Sequence, residues 1–335
     1  MDTQVNVTYI IIDGYVNIDK YRYLYFVIMF TAYILILCSN STVVYLIWIH
    51  PNLHEPMYVF IAALLINSVV YSTVFYPKLL IDFLSDKQII TYSACLFQWF
   101  IFYSLAGSEF LLLAAMSYDR YVSICKPLQY PTIMRKKTVI MFLVLAWLVP
   151  FCKIAGPIVQ NVNKKLCKFI FKGIICNSTV HKLHCVEPRI EKIYGLIVFV
   201  NLLIIPVLFI LFTYTRIFII TYRSCREVRR KAAQTCLPHL IVLINFSCLT
   251  AYDVLLLRLE TDFSQTVRFI MSLQMIMYHP LFNPIIYGLK MKEIYKHLKR
   301  LFCKISSNIL QKRVSPISPH VKMSNFTAET KTGRN

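Results

Sequence analysis

Residues 108–134 read "SEFLLLAAMSYDRYVSICKPLQYPTIM", and the architecture turns on where this stretch sits. It opens with a carboxylate, Glu109, among apolar residues, and the apolar run stops at an acid and a base side by side, Asp119 and Arg120, followed by Tyr121. Upstream, Gln88 to Ser108 contains no Asp, Glu, Lys or Arg. The run therefore continues past Glu109 to Tyr118 as one helix of about 33 residues, ~50 Å long at 1.5 Å per residue. That exceeds the ~30 Å hydrocarbon layer of a bilayer, so the Asp119 end projects into headgroups or cytoplasm.

The rest of the chain supplies six more segments of the same kind. Of 335 residues, 57% are hydrophobic and 16% charged, and the mean hydropathy is +0.58, too apolar for two ordinary soluble domains. Lipid cannot satisfy exposed backbone groups, so each crossing must be a helix of roughly 20 apolar residues. Charge-free runs lie at Tyr23–Ile49, Met57–Pro77, Ile193–Thr215, Ala232–Tyr252 and Phe269–Leu289. A sixth, Thr138–Cys152, continues past Lys153, which places that lysine near an interface. The expectation is an all-α membrane protein, a seven-transmembrane helix bundle.

Charge gives the orientation. Of 36 basic residues, 22 fall inside if the N-terminus is outside: five from Arg120 to Lys137, six from Arg216 to Lys231 and eleven after Leu289. Eight of the other 14 lie in one long loop, Lys153 to Lys192, and long loops cross largely regardless of charge. The expected order is an extracellular segment 1–22, a seven-transmembrane domain 23–304 and a disordered cytoplasmic tail 305–335. Within the domain, 290–304 forms an amphipathic helix on the inner leaflet, with Ile294, Leu298 and Leu301 at helical spacing among many bases. Cys303 there is a candidate for lipidation. The +20 net charge is interleaved with hydrophobic spans and suits anionic lipid or an acidic partner, not nucleic acid. No cleavable signal peptide is expected, because the first apolar run is long and follows a polar segment.

Two sequons, at Asn6 and Asn177, lie on the outer side and are glycosylation candidates. Cys95, Cys167, Cys176 and Cys185 also fall at or beyond the outer boundary, where disulfides persist, and four cysteines allow three pairings. Zinc, with His181 and His184, is the rival use of these sulfurs, and bridging would exclude it.

Residues 116–125, "MSYDRYVSIC", resemble the "MAYDRYVAIC" signature of odorant receptors, within the rhodopsin-like G-protein-coupled receptors. "PMYVF" at 56–60, "KAAQTC" at 231–236 and "HPLFNPIIYGLKMKE" at 279–293 look like the same family in the same order, so the similarity runs from about Tyr23 to Lys304. "KPLQYPTIM" and "YPKLLIDFLSDKQIITYSACLFQ" look most like its fish-type branch. The resemblance implies a plasma-membrane receptor of olfactory neuron cilia that binds a small odorant and activates a stimulatory heterotrimeric G protein, raising cyclic AMP, with no cofactor. It implies disulfides Cys95–Cys176 and Cys167–Cys185. It gives Asp119, Arg120 and Tyr121 the coupling role, the acid holding the base at rest, and makes Asn283, Pro284 and Tyr287 a second switch.

Pro280 and Pro284 each lack an N–H, so the seventh span should kink, with Asn283 meeting the freed backbone groups. Family members hold a sodium ion between the glutamate at Glu109 and a second-span aspartate, but here that position is Ser68, after Asn67; hydrogen bonds from Asn67, Asn40 or Asn283 are the alternative partners of Glu109.

A pocket in this fold opens outward between the third, fifth, sixth and seventh spans. Its candidate lining is Phe102, Tyr103, Ala106 and Gly107 from the third span, Phe246, Ser247, Thr250 and Asp253 from the sixth, and Met275 and Ile276 from the seventh. Apolar walls suit small organic molecules, whereas Lys78, Asp82, Lys153, Asp253 and Arg258 near the rim suit charged ones. Phe102 stands where amine receptors carry an aspartate, which argues against a monoamine anchored there. No phosphate loop, H-E-x-x-H or G-x-S-x-G occurs and only seven glycines are present, so an enzyme is not expected. The remaining alternatives are a receptor of this fold for a peptide or lipid, or a multi-span transporter or channel, which would carry internal repeats not found here.

Overall fold

The computed structural model describes residues 8–186, 189–222, 226–258, 264–301 and 303. Asn6 and the tail from 304 onward lie outside the described residues, as do the side chains of Asp253 and Arg258. Among the described residues, seven long helices form the bundle: α1 (Ile18–Ile49), α2 (Pro56–Leu84), α3 (Tyr92–Cys125), α4 (Lys136–Asn161), α5 (189–222), α6 (Arg226–Arg258) and α7 (Gln265–Lys290). A short eighth helix, α8, occupies 292–301.

Five of the described helices are long and apolar enough to cross a membrane. In α6 the described apolar stretch is His239–Ala251, and α7 is diluted by Gln274, His279 and Asn283. α5 is α-helical at Arg189–Phe199 and Ile205–Tyr222 with a π-helical stretch, Val200–Ile204, between them. Pro206 lies two residues past that stretch; lacking an N–H, it cannot close the ordinary i to i−4 bond to Leu202.

α3 is the central helix, its apolar stretch 67% buried against 28% for α1. Peripheral helices instead expose large apolar residues, among them Trp48, Val144 and Phe212, as a surface facing lipid tails does. α8 lies against the bundle, with Ile294 fully buried and Leu298 beside Gly288 of α7.

Two boundaries differ from the sequence reading. The first helix begins at Ile18, not Tyr23, because Asp19 favours a helix N-terminus and Arg22 pairs with Asp19 at 3.5 Å and with Asp86 at 3.2 Å. Gln88–Thr91 is not helical: β2 (Ile89–Thr91) is a strand, and Thr91 then caps α3 by accepting from the Ala94 N–H at 3.3 Å.

That strand belongs to a three-stranded sheet, order β2-β1-β3, with β1 at Tyr9–Ile12 and β3 at Ile170–Phe171. β1 runs antiparallel to β2 (Ile10 opposite Ile90) and parallel to β3 (Ile12 opposite Phe171), burying Ile10 and Ile12. The expected polar extracellular segment thus contains a strand. Just past it the backbones of Gly14 and Gly173 touch, leaving no room for a Cβ at Gly14. Asn17, at φ 48°, then turns the chain into α1.

Disulfides hold this end together. Cys95 near the start of α3 is bonded to Cys176 in the loop after β3, and Cys167, just before β3, to Cys185 farther along the same segment. Asn177 is half-buried, and its Oδ1 accepts from the Thr179 N–H at 3.0 Å, capping the 3-10 turn Ser178–Leu183.

Candidate functional site

Glu109 sits mid-way along α3 and is 2% exposed. An ionised carboxylate without a partner costs several kcal/mol there. Its partners come from α7: the Asn283 Nδ2 donates to Oε1 at 3.1 Å, and His279 Nε2 contacts Oε2. His279 and Asn283 are four residues apart, so one helix face presents both. The same Asn283 amide donates to Ser68 Oγ on α2 at 3.2 Å.

The freed backbone in α7 is met from elsewhere. Pro284 has no N–H for the Pro280 carbonyl, and that oxygen accepts instead from Asn40 of α1 at 2.9 Å. The expectation gave this task to Asn283; its amide is already committed to Glu109 and Ser68. Asn67, another expected partner of Glu109, donates to the Leu105 carbonyl at 3.1 Å.

Hard cations are held by several converging oxygens with negative charge to balance them. Here the set offers one carboxylate, with one oxygen against Asn283 and the other against His279, and a neutral hydroxyl, Ser68, that accepts from Asn283 and donates to the Leu64 carbonyl at 3.2 Å. A sodium ion does not fit these residues.

Toward the disulfide end, a cavity opens over this cluster. Of the expected lining, Phe102, Ala106, Phe246 and Met275 contribute, joined by Leu105 and Tyr71, with Asn67, Ser68, Glu109 and His279 as the polar side. The second helix therefore takes the place expected of the fifth. Tyr103 points away, its hydroxyl 3.2 Å from Ser178 Oγ in the loop. Gly107 faces α4 and α5, where an added Cβ would stand 3.0 Å from both Pro150 and Leu202. Thr250 donates to the Phe246 carbonyl at 2.9 Å, Ser247 is half-buried beside it, and Ile276 is buried in an apolar cluster with Ile36 and Tyr76 of α1 and α2. None of these three lines the cavity. Spacing along α3 marks an inward stripe but not which neighbour each residue meets.

The rim charges are partly used up. Lys78 contacts Asp82, which also accepts from Tyr15 of the N-terminal strap at 3.0 Å.

At the other end of α3, Asp119 is fully buried. Arg120 donates from Nε to Oδ2 at 3.0 Å and contacts the same oxygen through Nη2, while Tyr130 donates to Oδ1 at 2.8 Å. Tyr130 escaped sequence reading, because Pro127 separates it from Asp119 and no helical period links them. Tyr121 is half-buried against the main core. Tyr287, fully buried, has its hydroxyl 3.4 Å from Nδ1 of His239 on α6. The residues expected to form the switches thus gather in two layers below the cavity. Cys303, beyond α8, is exposed with a free thiol.

These layers sit in a known frame: the chain matches the crystal structure of squid rhodopsin with a TM-score of 0.70 over 87% of each chain at 19% identity, which makes it a seven-helix bundle of the rhodopsin architecture. The family model of the olfactory receptors matches residues 29–305. Human olfactory receptor 11A1 is 32% identical over 314 residues, 89% of this chain and 94% of that receptor. Human olfactory receptor 11H2 is 33% identical over 288 residues, 84% of this chain and 86% of the other. The chain belongs to the olfactory receptor family: it is a multi-pass membrane receptor and not an enzyme.

Proposed function

We propose that the chain detects a small odorant in the cavity between α2, α3, α6 and α7 and activates a stimulatory heterotrimeric G protein at the Asp119 end, raising cyclic AMP. The N-terminus and disulfides face outside, and the receptor works at the plasma membrane of olfactory neuron cilia. The observation that carries this reading is the arrangement on one helix of apolar cavity walls, Phe102 and Ala106, and the buried Asp119–Arg120 pair. Eighteen residues separate Phe102 from Arg120, about 27 Å, so ligand and G protein do not touch. Coupling then comes from the ligand's different affinity for two packings of the bundle, about 1.4 kcal/mol per tenfold shift.

Walls of Phe102, Leu105, Phe246 and Met275 suit a small apolar body. The test is cyclic AMP in cells expressing the receptor, against an odorant panel, with Ala106→Trp to fill the cavity. The expected outcome is a response to at least one odorant that the substitution abolishes while surface display persists. A ligand-gated current from purified receptor, or a response indifferent to Ala106→Trp, overturns the reading.

A further inference from the structure

The sodium ion implied by the family does not fit this core, and the mismatch points to what replaces it. Glu109 is 2% exposed on α3, and the neutral Asn283 amide of α7 donates both to it and to Ser68 Oγ of α2. On α6, Phe246 stacks on the His279 ring at 4.3 Å between centroids, and on α1 Asn40 is engaged with backbone carbonyls. Among the described residues, His279 is the one ionisable side chain in contact with Glu109.

We infer that the His279 side chain itself takes the place of the metal ion against Glu109, and that the bundle is indifferent to sodium. Two departures act together here. Ser68 removes the second carboxylate that a metal would need, and His279 places a basic nitrogen against the carboxylate that stays. The pair also ties the cavity to the switch, because Glu109 and His279 line the cavity while Asn283, bonded to the same carboxylate, precedes Pro284. A ligand that reaches the polar side of the cavity competes for groups that hold α3 and α7 together.

The test needs no odorant, so its failure is distinct from failure of the odorant reading. The thermal unfolding midpoint of the purified full chain is measured in sodium chloride and in choline chloride at equal ionic strength. The wild type is expected to unfold at the same temperature in both. The double variant Ser68→Asp, His279→Gln, which restores a carboxylate pair and removes the imidazole, is expected to gain several degrees in sodium alone. A wild-type midpoint raised by sodium overturns the inference. A second measurement stands if the double variant does not fold: Glu109→Gln and His279→Gln are each expected to lower the midpoint by more than Glu109→Gln, His279→Gln together, since each single change leaves one buried partner uncompensated. Additive losses overturn the pairing.

Discussion

The two ends of the bundle are held by different kinds of bond. At one end, two disulfides, a three-stranded sheet and an aromatic box of Tyr15, Tyr25, Phe83 and Phe269 fix the N-terminal segment and the long loop onto the helices. At the other, the described ties around α3 and α7 are polar and reversible: Asp119 with Arg120 and Tyr130, and Tyr287 with His239. Covalent and sheet contacts have one arrangement, whereas ion pairs and hydrogen bonds of about 1–3 kcal/mol can be exchanged for others. A device that keeps the shape of its ligand entrance while changing at its signalling face needs this division.

The largest effect breaks the reversible end. Arg120→Ala is expected to abolish the cyclic AMP response with surface display retained, while Asp119→Asn, which frees the guanidinium, raises basal cyclic AMP. Unchanged signalling in both would remove the contrast between the ends. Next comes the covalent end. The Cys95–Cys176 bond closes a separation of 81 residues and Cys167–Cys185 one of 18, so the chain-entropy model gives about 4.5 and about 3.2 kcal/mol. Cys176→Ser is therefore expected to lower the unfolding midpoint more than Cys185→Ser, and neither change should raise basal signalling.

The sequence made the reversible end easier to read than the covalent one. Asp119, Arg120, Asn283 and Tyr287 stand at fixed local spacings within apolar runs, and such spacing survives any packing. The strand Tyr9–Ile12 was hidden because four residues carry too little alternation to mark a strand, and its partners lie in β2 and β3, far along the chain. The cavity was half legible: Phe102, Ala106, Phe246 and Met275 fall on inward stripes, but Gly107 meets Pro150 and Leu202 because inward on a central helix has several directions. The meeting of His279 with Glu109 spans 170 positions, shown by no periodicity, although a histidine and a glutamate inside separate spans are each a signal worth pairing.

Smaller changes sharpen where the reversible end begins. Tyr130→Phe removes one hydrogen bond to a buried carboxylate, about 1.5–3 kcal/mol, and is expected to raise basal cyclic AMP less than Asp119→Asn does. Asn40→Ala leaves the Pro280 carbonyl without its donor at about 1–3 kcal/mol, and the unfolding midpoint should fall. If Asn40→Ala also raises basal signalling, the hinge of α7 belongs with the switch and not with the scaffold.

The smallest expected effect tests whether the covalent end is as fixed as its bonds suggest. His184 is buried in the loop, its Nε2 3.0 Å from the Tyr92 hydroxyl, with His181 and Lys164 nearby. Burial first, and the Lys164 charge second, hold its pKa below the ordinary imidazole value of 6.5. A histidine depressed in the folded state binds its proton more readily when unfolded. Its contribution to stability is therefore fully present above pH 6.5 and is lost as the pH falls toward the depressed value. The loop should loosen on acidification, read as faster hydrogen exchange at 163–186 below pH 6.5 than above it after correction for intrinsic rates. His184→Gln should flatten that difference, since glutamine keeps a polar contact to Tyr92 and does not titrate. The disulfides limit how far the segment can open, so the faster exchange should stay within the loop; the same acid profile spreading into the helices would mean that the hydrogen bonds, more than the sulfurs, hold this end.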